Sequence, residues 1–350
     1  MSAFPSIAPP RAPSATRTIL VIGATGKQGS GMISALVQAN RQAKPYEPLP
    51  YRILAMTRTP AKYEALKTLP GVEVVQGDLN DPPSIEAVFR EHGQGGIFGV
   101  FTCLAFPGLG KPADSELAQG KLAADMALKY GVSHFIYSSS EQGGDSESGP
   151  SPSHVAKMVI ENHIKDLGRT NPSFKWTVLR PSFFYENFDG VLGAVSETLL
   201  ASSVQKGTKI QMVASEDIGP VARAVFEAPG DEYKGAMMTI CGDILTPQEV
   251  NAIHKKVTGK PLSRIPGFVG SALYGMNAQA KNLVMHMERV HQLRLQDAAG
   301  YTANGDAARR AYPGLLTFES WILSKGKQRG GKRDKNWNNL TMKELLKGET

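Results

Sequence analysis

Cysteine is scarce in this chain. Cys103 and Cys241 stand far apart among 350 residues with no paired spacing, which excludes a disulfide framework and a cysteine-based zinc site. Two scattered thiols suit a reducing compartment, and their plainest reading is as small buried residues on strands. Long apolar runs are also missing, since no stretch approaches the roughly 18 residues that cross a bilayer. A membrane-spanning helix is therefore not expected. Met1 to Thr16 holds four prolines but no apolar run of signal-peptide length, so residues 1–17 read as a disordered lead-in. These absences point to a cytoplasmic protein with no metal site.

Acidic residues thin out toward the C-terminus. The formal net charge is +7, and much of the excess lies in Lys325, Lys327, Arg329, Lys332, Arg333, Lys335, Lys343 and Lys347. Residues 325–350 read as a basic, flexible and solvated tail, which would also permit nuclear entry or act as a weak phosphate-binding arm. Direct nucleic-acid binding is not expected.

The rest of the chain is ordinary soluble globular material, 41% hydrophobic and 20% charged. Its length suggests one large α/β domain with an appended part. Strands are predicted over 18–22, 52–56, 72–76, 97–102, 132–137 and 176–179, the last ending at Arg180-Pro181. Helices are predicted between them over 30–39, 60–69, 82–91, 115–130 and 153–167. Such alternation implies a Rossmann-like, doubly wound parallel sheet with helices on both faces, assigned to residues 18–181. Beyond Pro181 the alternation loosens, with helices over 218–228 and 247–257 and a strand over 236–241. Residues 182–324 are expected to form a smaller α+β lid, leaving a cleft for ligands at the C-terminal ends of the strands.

Gly23, Gly26 and Gly29 fall between the first strand and the first helix. In that setting Gly23 permits the tight turn, Gly26 lets backbone approach a pyrophosphate, and Gly29 lets helix and strand pack closely. The helix N-terminus would direct its free N–H groups at the phosphates, with Thr25, Lys27 and Gln28 as added donors. Three glycines alone are a weak signal; the strand before and helix after make it a dinucleotide site. The second strand ends at Met56-Thr57-Arg58 rather than in an acid that would bind the 2′-hydroxyl of NAD. Arg58 and Lys62 instead offer cations to a 2′-phosphate, which favours NADP(H) over NAD(H). Asp78 and Leu79, after the third strand, are placed to meet the adenine, and Thr102, at the end of the fourth, to face the nicotinamide ribose.

Taken together, ILVIGATGKQG over Ile19–Gly29, Thr57-Arg58, Gly77-Asp78-Leu79, LRPSFFYENF over Leu179–Phe188, Glu216-Asp217-Ile218-Gly219, Gly242–Thr246 and Phe318-Glu319-Ser320-Trp321 resemble the NmrA-like family of atypical short-chain dehydrogenases/reductases. The resemblance covers about residues 17 to 324. It implies that Lys157 holds the nicotinamide ribose, that Ser139 lines the site, and that Phe184 meets the cofactor through its backbone. Carbonyl-reducing relatives carry a Tyr-x-x-x-Lys pair, in which lysine lowers the tyrosine pKa for proton donation. Here the segment is Ser153-His154-Val155-Ala156-Lys157. The lysine matches and the tyrosine is a serine, whose hydroxyl is too weak an acid and too short to replace a phenol. His154 and Tyr185 are the remaining candidate proton donors.

Two functions follow from the resemblance. An intact cofactor site beside a broken catalytic pair suits a redox-sensing regulator that binds a protein partner such as a transcription factor. The alternative is an NADPH-dependent oxidoreductase of a small hydrophobic carbonyl or alkene, with Phe183, Phe184 and Phe188 as apolar cleft walls.

Overall fold

The computed structural model of this chain describes residues 16–105, 112–141, 151–268, 274–275 and 277–328. Its first half alternates strand and helix: β1 (Arg17–Ile22), α1 (Lys27–Gln42), β2 (Tyr51–Thr57), β3 (Val72–Gln76), α2 (Pro82–His92), β4 (Gly99–Cys103), α3 (Asp114–Lys129), β5 (His134–Ser138), α4 (Pro152–Thr170) and β6 (Trp176–Pro181). The second half runs β7 (Phe183–Phe184), α5 (Gly190–Ser203), β8 (Ile210–Val213), α6 (Ile218–Glu227), β9 (Ala236–Ile240), β10 (Asp243–Leu245), α7 (Pro247–Thr258), α8 (Ala278–Gln296), α9 (Ala298–Ala311) and α10 (Phe318–Gln328).

The main sheet has the order β3-β2-β1-β4-β5-β6-β9, and every neighbouring pair in it is parallel. This is the doubly wound, Rossmann-like sheet the alternation predicts. The strand order reverses between β1 and β4, where ligands of such sheets bind. Two cores sandwich the sheet. On one face Ile19, Val21 and Ile53 pack with Met32 and Leu36 of α1 and with Val221 and Val225 of α6. On the other, Leu20, Leu54 and Val100 pack with Ile85 of α2, Ala123 of α3 and Ile160 of α4. Central strands buried on both faces read as continuous apolar runs, the expected pattern for a parallel sheet. A second sheet, β10-β8-β7, is built from short strands. Beneath it lies a third core containing Met212, Val250, Met287, Phe318 and Trp321.

Several boundaries differ from expectation. β9 follows Pro181 by a long stretch of chain yet pairs with β6, so the main sheet draws on both sides of the division expected there. The helix predicted over 60–69 is instead two short 3-10 turns, Pro60–Lys62 and Glu64–Thr68, neither with a buried residue. Only Leu66 and Leu69 lean on the core, and neither is fully buried, so a segment this short gains little from a full α-helix. At the N-terminus, Arg17 already belongs to β1 and donates to the carbonyl of Phe226 at 2.7 Å. Residues 1–15 of the expected lead-in lie outside the described residues, as do residues 329–350 of the expected tail. Lys325 belongs to α10 and is ion-paired with Asp189.

A buried polar staple fixes the far edge of the sheet. The Asn40 amide donates to the carbonyls of Tyr51 at 2.8 Å and Pro70 at 2.9 Å, and its oxygen accepts from the Tyr51 N–H at 2.9 Å. Asn40→Ala leaves three backbone groups without that partner. It should lower stability by about 2–3 kcal/mol, read as a shift in the urea midpoint with an unchanged m-value.

Candidate functional site

The turn after β1 is shaped by contacts that admit no side chain at two of its glycines. Gly23 has φ +81°, and a Cβ there would lie 2.2 Å from the Cys103 carbonyl oxygen. A Cβ on Gly29 would lie 2.1 Å from the Gly23 carbonyl oxygen. Gly26 differs, because its Cβ would meet only that same oxygen, at 3.4 Å. The open side of the turn is therefore at Gly26, beside the exposed Thr25. Gly26 is also the N-cap of α1, with no side-chain capping bond and no acid in the first turn. The positive end of the helix is thus left for an external anion.

The strand ends next to this turn carry the other site residues. Ile22, Thr102 and Tyr137 stand in register across β1, β4 and β5. Gln28 is tied to the sheet by the Ser138 hydroxyl, which donates to its Oε1 at 2.6 Å, while Ser139 is buried on the next step of the chain. Thr102 and Tyr137 are fully buried, and among the described residues their hydroxyls have no hydrogen-bond partner. Unmatched buried hydroxyls at the switch point are what a site made for a polar group would leave.

Lys157, on α4, reaches the same corner. Its Nζ lies 2.6 Å from Glu116 Oε1, a carboxylate on α3 with a side chain only 1% exposed. Glu116 Oε2 accepts a 2.6 Å hydrogen bond from Ser153. The serine at the tyrosine position thus turns its hydroxyl toward α3. Burial pulls the Lys157 pKa down, but the Glu116 carboxylate, through its charge and its hydrogen bond, outweighs it and holds the amine above the ordinary lysine range. Cys103 is pushed up to about 11 by burial, so its thiol is protonated and unreactive near neutrality.

Arg58 directly follows β2, and Lys62 ends the first 3-10 turn. Both are exposed, and neither is in an ion pair among the described residues. Asp78 holds its own loop together, its Oδ1 accepting from the Asn80 N–H at 2.9 Å, with Leu79 half-buried beside it.

The two candidate proton donors sit elsewhere. Tyr185 is fully buried and donates to the Leu316 carbonyl at 3.1 Å. Its ring packs on Phe318 and Trp321 at 5.3 and 5.4 Å, and burial drives its pKa far upward. His154 faces His286 of α8, ring to ring at 5.1 Å. Burial pushes His286 down to about 4, helped by His154, so His286 is neutral near pH 7. Beside it lies a cavity with room for one water, lined by Glu141, Ser182, Phe183, Gln211, His286, Met287 and Val290. Phe184, half-buried on β7, does not line this cavity and packs instead against the core on the α1 face of the main sheet.

Reasoning from sequence missed Glu116, Tyr137, Ser138 and His286. An acid in the first turn of a helix reads as a dipole partner, and nothing local marks Glu116 as buried against a lysine on the next helix.

The model of the NmrA-like family matches residues 15–322. The chain belongs to the NmrA-like family. Among its relatives, an NmrA-like family domain-containing protein of Dictyostelium discoideum is 26% identical, covering 71% of this chain and 80% of that one. The NAD(P)H azoreductase of Xenophilus azovorans is 27% identical, with 70% and 75% covered. Among solved structures, the negative transcriptional regulator NmrA in complex with NADP superimposes with a TM-score of 0.63 at 19% identity, covering 91% of this chain and 98% of its own. Those structures share the NmrA-like fold described above. No helix among the described residues of this NmrA-like protein is long and apolar enough to cross a membrane.

Proposed function

We propose that this NmrA-like protein binds a nicotinamide dinucleotide, with NADP(H) preferred over NAD(H), and that occupancy of the site controls its association with a protein partner, as in a redox-sensing regulator. The observation that carries the reading is the pairing of an open glycine turn with a disarmed catalytic helix. Gly26 leaves room at an uncapped helix N-terminus, while the Ser153 hydroxyl is committed to Glu116. Gly23, Gly26 and Gly29 shape the pyrophosphate turn, and Thr25, Lys27 and Gln28 line it. Arg58 and Lys62, cations with no carboxylate partner among the described residues, hold the 2′-phosphate. Asp78 and Leu79 border the adenine. Thr102 and Lys157 meet the nicotinamide ribose, Ser139 lines the site beside them, and Phe184 meets the cofactor through its backbone. The fold's relatives support this reading: the regulator NmrA has been solved with NADP and with NAD.

A second reading, an NADPH-dependent reductase of a small hydrophobic carbonyl or alkene, is favoured by the azoreductase relative and by the apolar wall of Phe183, Met287 and Val290. The bound nicotinamide would supply hydride, and the chain would supply orientation and water exclusion. His154 is then the remaining side-chain proton donor, because Tyr185 is spent on Leu316.

The test is a titration of the full chain with NADPH, NADP+, NADH and NAD+, following thermal stability and NADPH absorbance together. NADP(H) should raise the midpoint more than NAD(H). Arg58→Asp should weaken NADPH binding by at least about tenfold and narrow or reverse the preference, since one lost charge-assisted contact and one new repulsion each cost about 1–3 kcal/mol. Absence of binding by all four dinucleotides would sink the proposal. Steady consumption of NADPH with a member of a quinone and azo-dye panel would move the conclusion to the reductase.

A further inference from the structure

Glu116 occupies an unusual position for a carboxylate. It comes from the first turn of α3, is almost fully buried, and spends one oxygen on Lys157 and the other on Ser153. These two partners are one helical turn apart on α4, so a single carboxylate bridges the positions that hold tyrosine and lysine in carbonyl-reducing relatives.

We propose that Glu116 is a positioning residue for dinucleotide binding, keeping Lys157 charged and aimed at the nicotinamide ribose hydroxyls. This rests on the dinucleotide reading above. A lone buried lysine tends to lose its proton, because burial penalises the ammonium. A carboxylate at 2.6 Å reverses that tendency and takes one of the three N–H donors. Two donors are left for the ribose, with the hydroxyls of Thr102 and Tyr137, which have no hydrogen-bond partner among the described residues, at the neighbouring strand ends. A neutral amine would instead present a lone pair to the ribose oxygens and lose a donor. Ser153 holds the second carboxylate oxygen and so fixes the plane of the group.

The other titratable groups facing this pair are Cys103 of β4 and Tyr137 of β5. Burial lifts the thiol to about 11 and the phenol higher still. Between about pH 6 and about pH 9 both stay neutral, so the charge state of Lys157 depends on Glu116.

The experiment is to titrate NADPH onto full-length wild type, Glu116→Gln, Ser153→Ala and Lys157→Met across that range, following the intrinsic fluorescence of the bound dinucleotide. Wild-type Kd should stay within about twofold. In Glu116→Gln it should rise about tenfold toward the alkaline end, as the uncompensated lysine deprotonates. Ser153→Ala, which keeps the carboxylate, should track wild type in its pH profile. Because Glu116→Gln leaves a buried cation without its partner, the double variant Glu116→Gln/Lys157→Met provides a second arm that buries no lone charge. If Glu116 acts through Lys157, the double variant binds NADPH as Lys157→Met does. A Glu116→Gln profile parallel to wild type, or a double variant much weaker than Lys157→Met, overturns the role of Glu116 alone. A wild type that binds no dinucleotide overturns the functional reading and this inference with it.

Discussion

Gly29→Val should abolish NADPH binding and cost the fold about 3 kcal/mol or more. A Cβ at this position would sit 2.1 Å from the Gly23 carbonyl oxygen and 2.8 Å from the Ala24 Cα. Both are backbone atoms, so no side-chain rotation relieves the clash. The first turn of α1 must then move away from β1, and overpacking of this kind at a rigid turn lies at the costly end of its range. The same displacement misplaces the N–H groups that face a pyrophosphate. Chemical denaturation should therefore show a lowered midpoint, and NADPH should no longer raise it. Gly26→Ala provides the control, because its Cβ meets only one atom within 4 Å. The fold should survive that substitution, with weakened dinucleotide binding. A Gly29→Val protein as stable as wild type and still protected by NADPH would show the turn to be tolerant and the site to be elsewhere.

Asp217→Asn should stabilise the protein at alkaline pH and leave it nearly unchanged in acid. Asp217 is buried in the short 3-10 turn, Ser215–Asp217, that leads into α6, with Oδ2 accepting from the Leu316 N–H at 2.9 Å. Burial, reinforced by Glu216 and Glu186 and opposed by the Leu316 hydrogen bond, raises its pKa from 3.8 to about 7. The folded state therefore keeps a proton that the unfolded chain releases between about pH 4 and about pH 7, so this group's contribution to stability falls as pH rises through that window. Asparagine has no proton to lose and still offers an oxygen to Leu316. The difference in unfolding free energy between variant and wild type should grow from near zero at about pH 4 to ~2–4 kcal/mol at about pH 8. Denaturant titrations at several pH values measure it. A difference independent of pH would mean that Asp217 stays ionised in the fold.

The part of the fold legible in the sequence was the part with a strong local period. Buried strands such as Ile19–Ile22 and Leu54–Met56, broken by glycine and followed by amphipathic helices, announced the doubly wound sheet. α5 was passed over because its sequence, GVLGAVSETLLASS, is apolar on nearly every side and shows no polar face to set a period. β7, β8 and β10 are two to four residues long, too short for alternation to register. β9 was read as a strand, but its pairing with β6 is a long-range choice that no local pattern encodes. The site divides in the same way. The glycine turn was visible because backbone geometry restricts the residue types it accepts, and Lys157 was visible through its spacing. Glu116 was not, because its burial depends on how α3 packs against α4. The hydroxyl of Tyr185 was a candidate on chemical grounds until packing committed it to Leu316.

The pairing of β9 with β6 also governs how the chain is made. When residue 181 has left the ribosome, β6 presents an open parallel edge of unpaired N–H and carbonyl groups, flanked by apolar faces meant for α4 on one side and α6 on the other. That edge stays unsatisfied until the small sheet's first strands, α5 and α6 have been synthesised and β9 can dock. Exposed edges of this kind invite pairing with other chains. A fragment cut at Pro181 would keep the glycine turn after β1 and yet be prone to aggregate, so the chain must be made well past the motif before its main sheet is closed.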